Sequence, residues 1–232
     1  MISFLEFNSS SVMLPPIQVP LHISQYDIEL TKRIGDLILA SEESILAIPV
    51  PEINAKASWG SNYTTRPDNW ITARLPYYNF LDSKEHDILS FKNFIYESYV
   101  AYQKGMQNPT FNVYVHGWVN IIRNNEQITA HNHANAHVAA SEDHSYISGN
   151  FCVRADNTST NYRSPYLHNT WKSVPNVAGD LVLFPSFVFH NTSVNQATEP
   201  RLSLAFDIIT EEVYHTLPEQ FKKIFCKLDT SW

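Results

Sequence analysis

His131-Asn132-His133 sets two imidazoles at positions i and i+2. On an extended strand they point to the same side, about 6.5–7 Å apart along it, so one metal ion can draw on both. His190 follows the apolar run Leu181–Phe184 and Pro185. A histidine placed just past a buried strand sits at a rim, where it can close a third corner while other coordination positions stay open. Eleven residues further on comes Arg201-Leu202-Ser203. Alternation along a strand puts Arg201 and Ser203 on one face, where a guanidinium and a hydroxyl can grip a single carboxylate. The pattern is that of a redox-metal pocket in a β-barrel-like fold that also takes an acidic small molecule.

The other histidines divide into two groups. His22, His86, His116, His168 and His215 stand alone in the sequence and read as surface or hydrogen-bonded core groups. His137 and His144 fall close behind the His-Xaa-His pair, in a polar segment 134–145 that reads as an insertion and also holds Glu142 and Asp143. Either carboxylate could approach the pair if His133 faced away, so the third ligand stays open between His133, Glu142 and Asp143.

Elements that could position these residues are legible from periodicity. Beyond Thr110 the texture is β: Phe111–Val115, Trp118–Ile122, Tyr146–Val153, Leu181–Phe184 and Leu202–Ile209 are short β-branched and aromatic runs between turn signals. Evenly scattered short strands favour a sandwich or barrel over a parallel sheet with crossover helices. Upstream, Ile28, Ile34, Leu37 and Ile38 recur at helical spacing and predict a helix over about 25–40 with Ser24 as N-cap. A second helix is predicted from Asp82 and Glu85 to Gly105, with Ile88, Phe91, Ile95, Tyr99 and Tyr102 as a stripe that packs on a sheet. Residues 1–22 read as an extended arm or edge strand, Ile71–Leu75 as a short strand, 154–178 as a long loop near the pocket mouth, and Leu217–Leu228 as an amphipathic helix. One domain, 1–232, is expected: an arm and supporting helices in 1–110, the β core in 111–209 and a C-terminal helix in 210–232.

Composition narrows the function classes. Of the residues, 44% are hydrophobic and 13% aromatic, enough for a sizeable core and incompatible with a disordered chain. Sixteen basic residues against 23 acidic ones, with no basic run, argue against a nucleic acid as principal partner. Two cysteines, Cys152 and Cys226, build neither a zinc finger nor a disulfide framework. No stretch approaches the ~20 apolar residues of a membrane span, and Met1–Pro16 lacks the pattern of a signal peptide. A cytoplasmic setting with no membrane partner is the expectation.

Taken together, Trp118-Val119-Asn120, His131-Asn132-His133, Tyr146-Ile147-Ser148-Gly149, Gly179-Asp180 through Phe184-Pro185-Ser186 to His190, and Arg201-Leu202-Ser203 resemble, in that order, the 2-oxoglutarate- and Fe(II)-dependent oxygenases. The likeness covers about 111–209 and is nearest to a branch with a His-Xaa-His pair found in bacteria and bacteriophages. It implies a double-stranded β-helix (jelly-roll, cupin-like) core, mainly β with flanking helices. It also implies Fe(II) as cofactor and 2-oxoglutarate as cosubstrate. By the same likeness, His131 and His190 match the iron-binding histidines, Arg201 with Ser203 matches the anchor of the distal carboxylate of 2-oxoglutarate, and Asn120 contacts the cosubstrate. The implied reaction hydroxylates a small-molecule or peptide substrate with O2 and releases succinate and CO2. The departure is His133, where the superfamily usually has a carboxylate; a three-histidine face still suits Fe(II). Segments 59–80 and 154–178 are the candidates for substrate contacts.

Two other readings use the same residues. A cupin-type metal enzyme or binding protein also has a His-Xaa-His pair, with His137 as a further ligand, but has no need of Arg201 and Ser203. In a metal-free jelly-roll binding or structural protein the histidines would be hydrogen-bonded bystanders.

Overall fold

Alternation along Arg201–Thr210 decides the architecture, because every second side chain belongs to a different compartment. Leu202, Leu204, Phe206 and Ile208 join the main hydrophobic cluster with the helices, while Arg201, Ser203 and Asp207 are buried on the opposite face. The computed structural model describes residues 2–8, 16–49, 71–133, 147–167 and 169–229. Among them, seven strands form the larger antiparallel sheet: β1 (Ile2–Phe7), β2 (Ile17–Gln25), β3 (Val113–Ile122), β4 (Ile147–Arg154), β7 (Asp180–Pro185), β9 (Arg201–Thr210) and β10 (Cys226–Leu228), in the order β1-β2-β7-β4-β9-β3-β10. A smaller sheet has the order β6-β5-β8, from β5 (Ser159–Arg163), β6 (Trp171–Pro175) and β8 (His190–Thr192). His131 extends it by a fourth step, pairing antiparallel with His190. The two sheets enclose an interior where Phe7, Val19, Leu21, Val182 and Phe184 of the larger one meet Tyr162 of the smaller. This is a jelly-roll, mainly β with flanking helices.

Helices cover the outer face of the larger sheet. α1 (Ile28–Leu46) starts at Asp27, whose carboxylate accepts from the Glu29 and Leu30 amides at 2.9 Å, and it buries Ile34, Gly35, Ile38 and Ile45. α2 (His86–Gly105) buries Ile88, Phe91, Ile95, Tyr99 and Tyr102, the stripe expected from the sequence. These side chains pack on Val115, Val119, Phe151, Leu204 and Phe206. Each such side chain contributes about 1.5–3 kcal/mol on burial. That term holds β9 in register and offsets the desolvation of Arg201, Ser203 and Asp207 behind it.

Several expectations are corrected. Ser24 lies in β2 and hydrogen-bonds Ser98 Oγ at 2.8 Å, so the first helix begins later, at Asp27, and runs on to Leu46. The edge strand expected within 1–22 is present as β1, and a second strand, β2, joins it to β7. Ile71–Tyr77 is a 3-10 helix; its Arg74 sends Nη2 to the Leu46 carbonyl at 3.0 Å and so closes the end of α1. Segment 154–178 contains the β5–β6 hairpin in register from Ser159↔Pro175 to Arg163↔Trp171. The C-terminal helix is broken into α3 (Glu211–Thr216), α4 (Glu219–Lys222) and β10, which pairs with β3. Pro218 lacks the amide a continuous helix would need, and Leu217, Ile224 and Phe225 gain burial against Ile209 instead. Segment 134–145, with His137, Glu142, Asp143 and His144, lies outside the described residues, as do His168 and residues 59–70.

Candidate active site

Three imidazoles converge at one end of the interior. The His131 and His190 backbones exchange both hydrogen bonds, the His131 amide donating to the His190 carbonyl at 3.0 Å and the reverse bond measuring 2.8 Å. This pairing brings their rings to 4.3 Å between centroids. The His133 amide donates to the Ser186 carbonyl at 3.0 Å, pinning the next inward-facing residue against the β7–β8 turn. One ring nitrogen of each of His131, His133 and His190 lies within 4.8 Å of the other two. His133 and His190 are buried, and His131 is partly so.

Hydrogen bonds on the far side of each ring fix which nitrogen faces inward. His131 Nδ1 donates to the Thr129 carbonyl at 2.8 Å, His190 Nδ1 to the Val188 carbonyl at 3.0 Å, and His133 Nδ1 to Asp207 Oδ1 at 2.6 Å. With the proton on Nδ1, each Nε2 is left with a lone pair. The Nε2 atoms of His131 and His133 stand 3.3 Å apart. Facing lone pairs repel, and a cation between them converts that repulsion into coordination. Adjacent corners of an octahedron with metal–nitrogen bonds of about 2.1 Å are about 3 Å apart, so the donor set fits a divalent transition metal. Burial first, then the neighbouring rings, keep two of these rings neutral: His131 is lowered to about 4 and His190 well below its usual value.

A polar wall runs inward from this cluster. In β9 the inward residues are Arg201, Ser203 and Asp207, and across the ladders they oppose Ile122, Asn120 and His116 of β3. Arg201 is 2% exposed, and Asn120 Nδ2 donates to Ser203 Oγ at 3.4 Å. From the smaller sheet Tyr162, whose Cα pairs with that of His190, projects its ring into the same interior. Its hydroxyl and Asn120 Oδ1 are buried with no hydrogen-bond partner among the described residues. Burial pushes the Tyr162 phenol up, and the Arg201 guanidinium partly opposes this. A buried cation and two unsatisfied polar groups along one wall suit a small ligand carrying a carboxylate.

Comparison with known proteins finds likenesses to this region and to the fold. Residues 116–207 match the family model described as "Putative 2OG-Fe(II) oxygenase". That match runs from within β3 through most of β9, the strands that carry the site, and the likeness is to the 2OG-Fe(II) oxygenases. Fe(II) and 2-oxoglutarate are the metal and cosubstrate of the matched family, and the cluster of His131, His133 and His190 can hold a metal ion. Two solved structures show the same fold. A Pseudomonas putida prolyl-4-hydroxylase is similar with TM-score 0.53 and 12% identity, over 82% of this chain and 92% of that one. A Trichoplax adhaerens prolyl hydroxylase, solved with a hypoxia inducible factor peptide fragment, gives TM-score 0.53 and 10% identity over 86% and 87%. No curated protein sequence matches the chain. Among the described residues, no helix is long and apolar enough to cross a membrane.

All six residues singled out by the motif spacing, His131, His133, His190, Arg201, Ser203 and Asn120, face this one interior. Sequence reasoning missed Asp207, Ser148 and Tyr162. Asp207 was detectable, since it is six residues past Arg201 and therefore on the same strand face. Ser148, its ladder partner in β4, donates to Asp207 Oδ1 at 2.7 Å and lies 2.9 Å from His133 Nδ1. Tyr162 was hidden because Ser159–Arg163 carries no hydrophobic alternation: its inward positions are Thr160 and Tyr162.

Proposed function

We propose that this protein is an Fe(II)- and 2-oxoglutarate-dependent dioxygenase that hydroxylates a small-molecule or peptide substrate and releases succinate and CO2. The observation that carries the proposal is the convergence of three Nδ1-anchored imidazoles at the head of a wall that ends in buried Arg201. Iron held there supplies activation of O2 coupled to oxidative decarboxylation of 2-oxoglutarate. His131, His133 and His190 would hold the metal. Arg201 and Ser203 take the distal carboxylate of 2-oxoglutarate, Tyr162 donates its hydroxyl to the same anion, and Asn120 orients Ser203. Trp118, whose ring lies 5.4 Å from that of His133, packs with Leu75, Tyr78 and Ala205 into an apolar patch that excludes water beside the metal. The expected setting is the cytoplasm, which suits the free thiols of Cys152 and Cys226.

Succinate formation from 2-oxoglutarate in the presence of Fe(II), ascorbate and O2 tests the proposal. His190→Ala should abolish iron binding. Arg201→Ala should raise the 2-oxoglutarate requirement while metal uptake stays close to wild type. Wild-type decarboxylation in both variants would refute the assigned roles.

A further inference from the structure

A divalent ion held by three neutral imidazoles brings two uncompensated positive charges into a buried site. The facial set of two histidines and one carboxylate, common in non-haem iron oxygenases, leaves only one. Buried charge is costly unless paired. Among the described residues, the carboxylate that touches a ligand ring is Asp207: it is fully buried, and its Oδ1 accepts from His133 Nδ1 at 2.6 Å. Ser148 Oγ donates to the same oxygen at 2.7 Å. Ser148 and Asp207 are directly opposed in the β4–β9 ladder, so the carboxylate is held by backbone register and not by a mobile side chain alone.

We infer that Asp207, acting through His133, takes the place of the missing carboxylate ligand: it supplies the compensating negative charge and fixes His133 with Nε2 toward the metal. The inference rests on the metal-site reading above. Asp207 is a positioning residue, and the site counts one carboxylate in total, moved one imidazole outward. Two consequences follow. Removing the charge at 207 weakens the metal. Placing a carboxylate at 133 helps only if the one at 207 is removed, because two adjacent buried carboxylates oppose each other.

The test is anaerobic titration of the metal-free protein with Co(II), followed by absorbance, in wild type, Asp207→Asn, His133→Asp and the double variant. Asp207→Asn should bind roughly 10–100-fold more weakly, the usual effect of losing such a partner. His133→Asp should also be weakened, and the double variant should recover to within about threefold of wild type, a reversal no purely structural role produces. Equal affinity of wild type and Asp207→Asn, or a double variant no better than Asp207→Asn, overturns the inference. Nitrogen NMR of metal-free wild type provides a reading independent of how the variants fold: His133 should carry its proton on Nδ1, and a proton on Nε2 overturns the inference. A wild type that binds no Co(II) or Fe(II) refutes the metal-site reading itself, a result distinct from the others.

Discussion

Acid should destabilise the metal-free protein through His131 within a defined window. The ring titrates near 6.5 in an unfolded chain, and in the folded protein burial, with the His133 ring second, lowers it to about 4. Between those values the unfolded state binds a proton that the folded state refuses. Stability is therefore full above about pH 7, falls as the pH drops from 6.5 to 4, and levels off below. A separation of about 2.5 pH units corresponds to about 3 kcal/mol. This is an upper figure, because His131 is only partly shielded from solvent. His190 is shifted in the same direction for the same leading reason, burial, and adds to the loss. Against a total stability of about 5–15 kcal/mol, the effect is large. Urea unfolding of the metal-free protein at pH 7.5 and 4.5, in wild type and His131→Gln, measures it. Wild type should lose about 2 kcal/mol more than the variant over that interval. Equal losses in the two proteins would show that the His131 ring is not held neutral by its surroundings.

Two substitutions probe the wall and its support. Tyr162→Phe removes a buried hydroxyl that has no hydrogen-bond partner among the described residues. Calorimetry should show about tenfold weaker 2-oxoglutarate binding with unchanged Co(II) affinity, while the melting temperature of the metal-free protein stays level or rises; a lower melting temperature would contradict the unsatisfied hydroxyl. Gly149→Ala drives a Cβ into the Phe206 ring, with β4 locked between β7 and β9. A loss of about 1–3 kcal/mol should appear in thermal melting, and an unchanged Tm would contradict that close packing.

The sequence announced the larger sheet more clearly than the smaller one for a physical reason. Strands β3, β4, β7 and β9 bury one face under helices, so their apolar alternation is strong, as in Leu202, Leu204, Phe206 and Ile208. The β5–β6 hairpin has its outer face in solvent and turns Thr160 and Tyr162 inward, so polarity suggests a loop where a strand exists. The tail misled in the opposite sense. Phe221, Ile224 and Phe225 have helical spacing, but the pattern cannot show that Pro218 divides it or that Cys226–Leu228 finds an edge beside Val113–Val115. At the site, His131, His133, His190 and Arg201 were legible from local spacing alone. Asp207 was not singled out, because its significance depends on a contact across 74 residues of chain.

β9 links the two ends of the site. Arg201 and Ser203 at its start serve the cosubstrate in the proposed reaction, and Asp207, near its end, orients a metal ligand. All three share one face, so a slip of one residue would turn all of them toward the helices and bring Leu202, Leu204 and Phe206 into the pocket. The apolar face of the strand, together with the backbone ladders to β3 and β4, therefore sets the spacing between anchor and metal. It follows that damage on the helix side, far from any ligand, reaches both ends of the site together, whereas damage to Arg201 or Asp207 reaches only one. A lesion such as Phe206→Ala leaves a cavity worth about 3–5 kcal/mol behind the strand. It should weaken metal and cosubstrate in parallel, and loss of one alone would mean that the two ends of β9 are positioned independently.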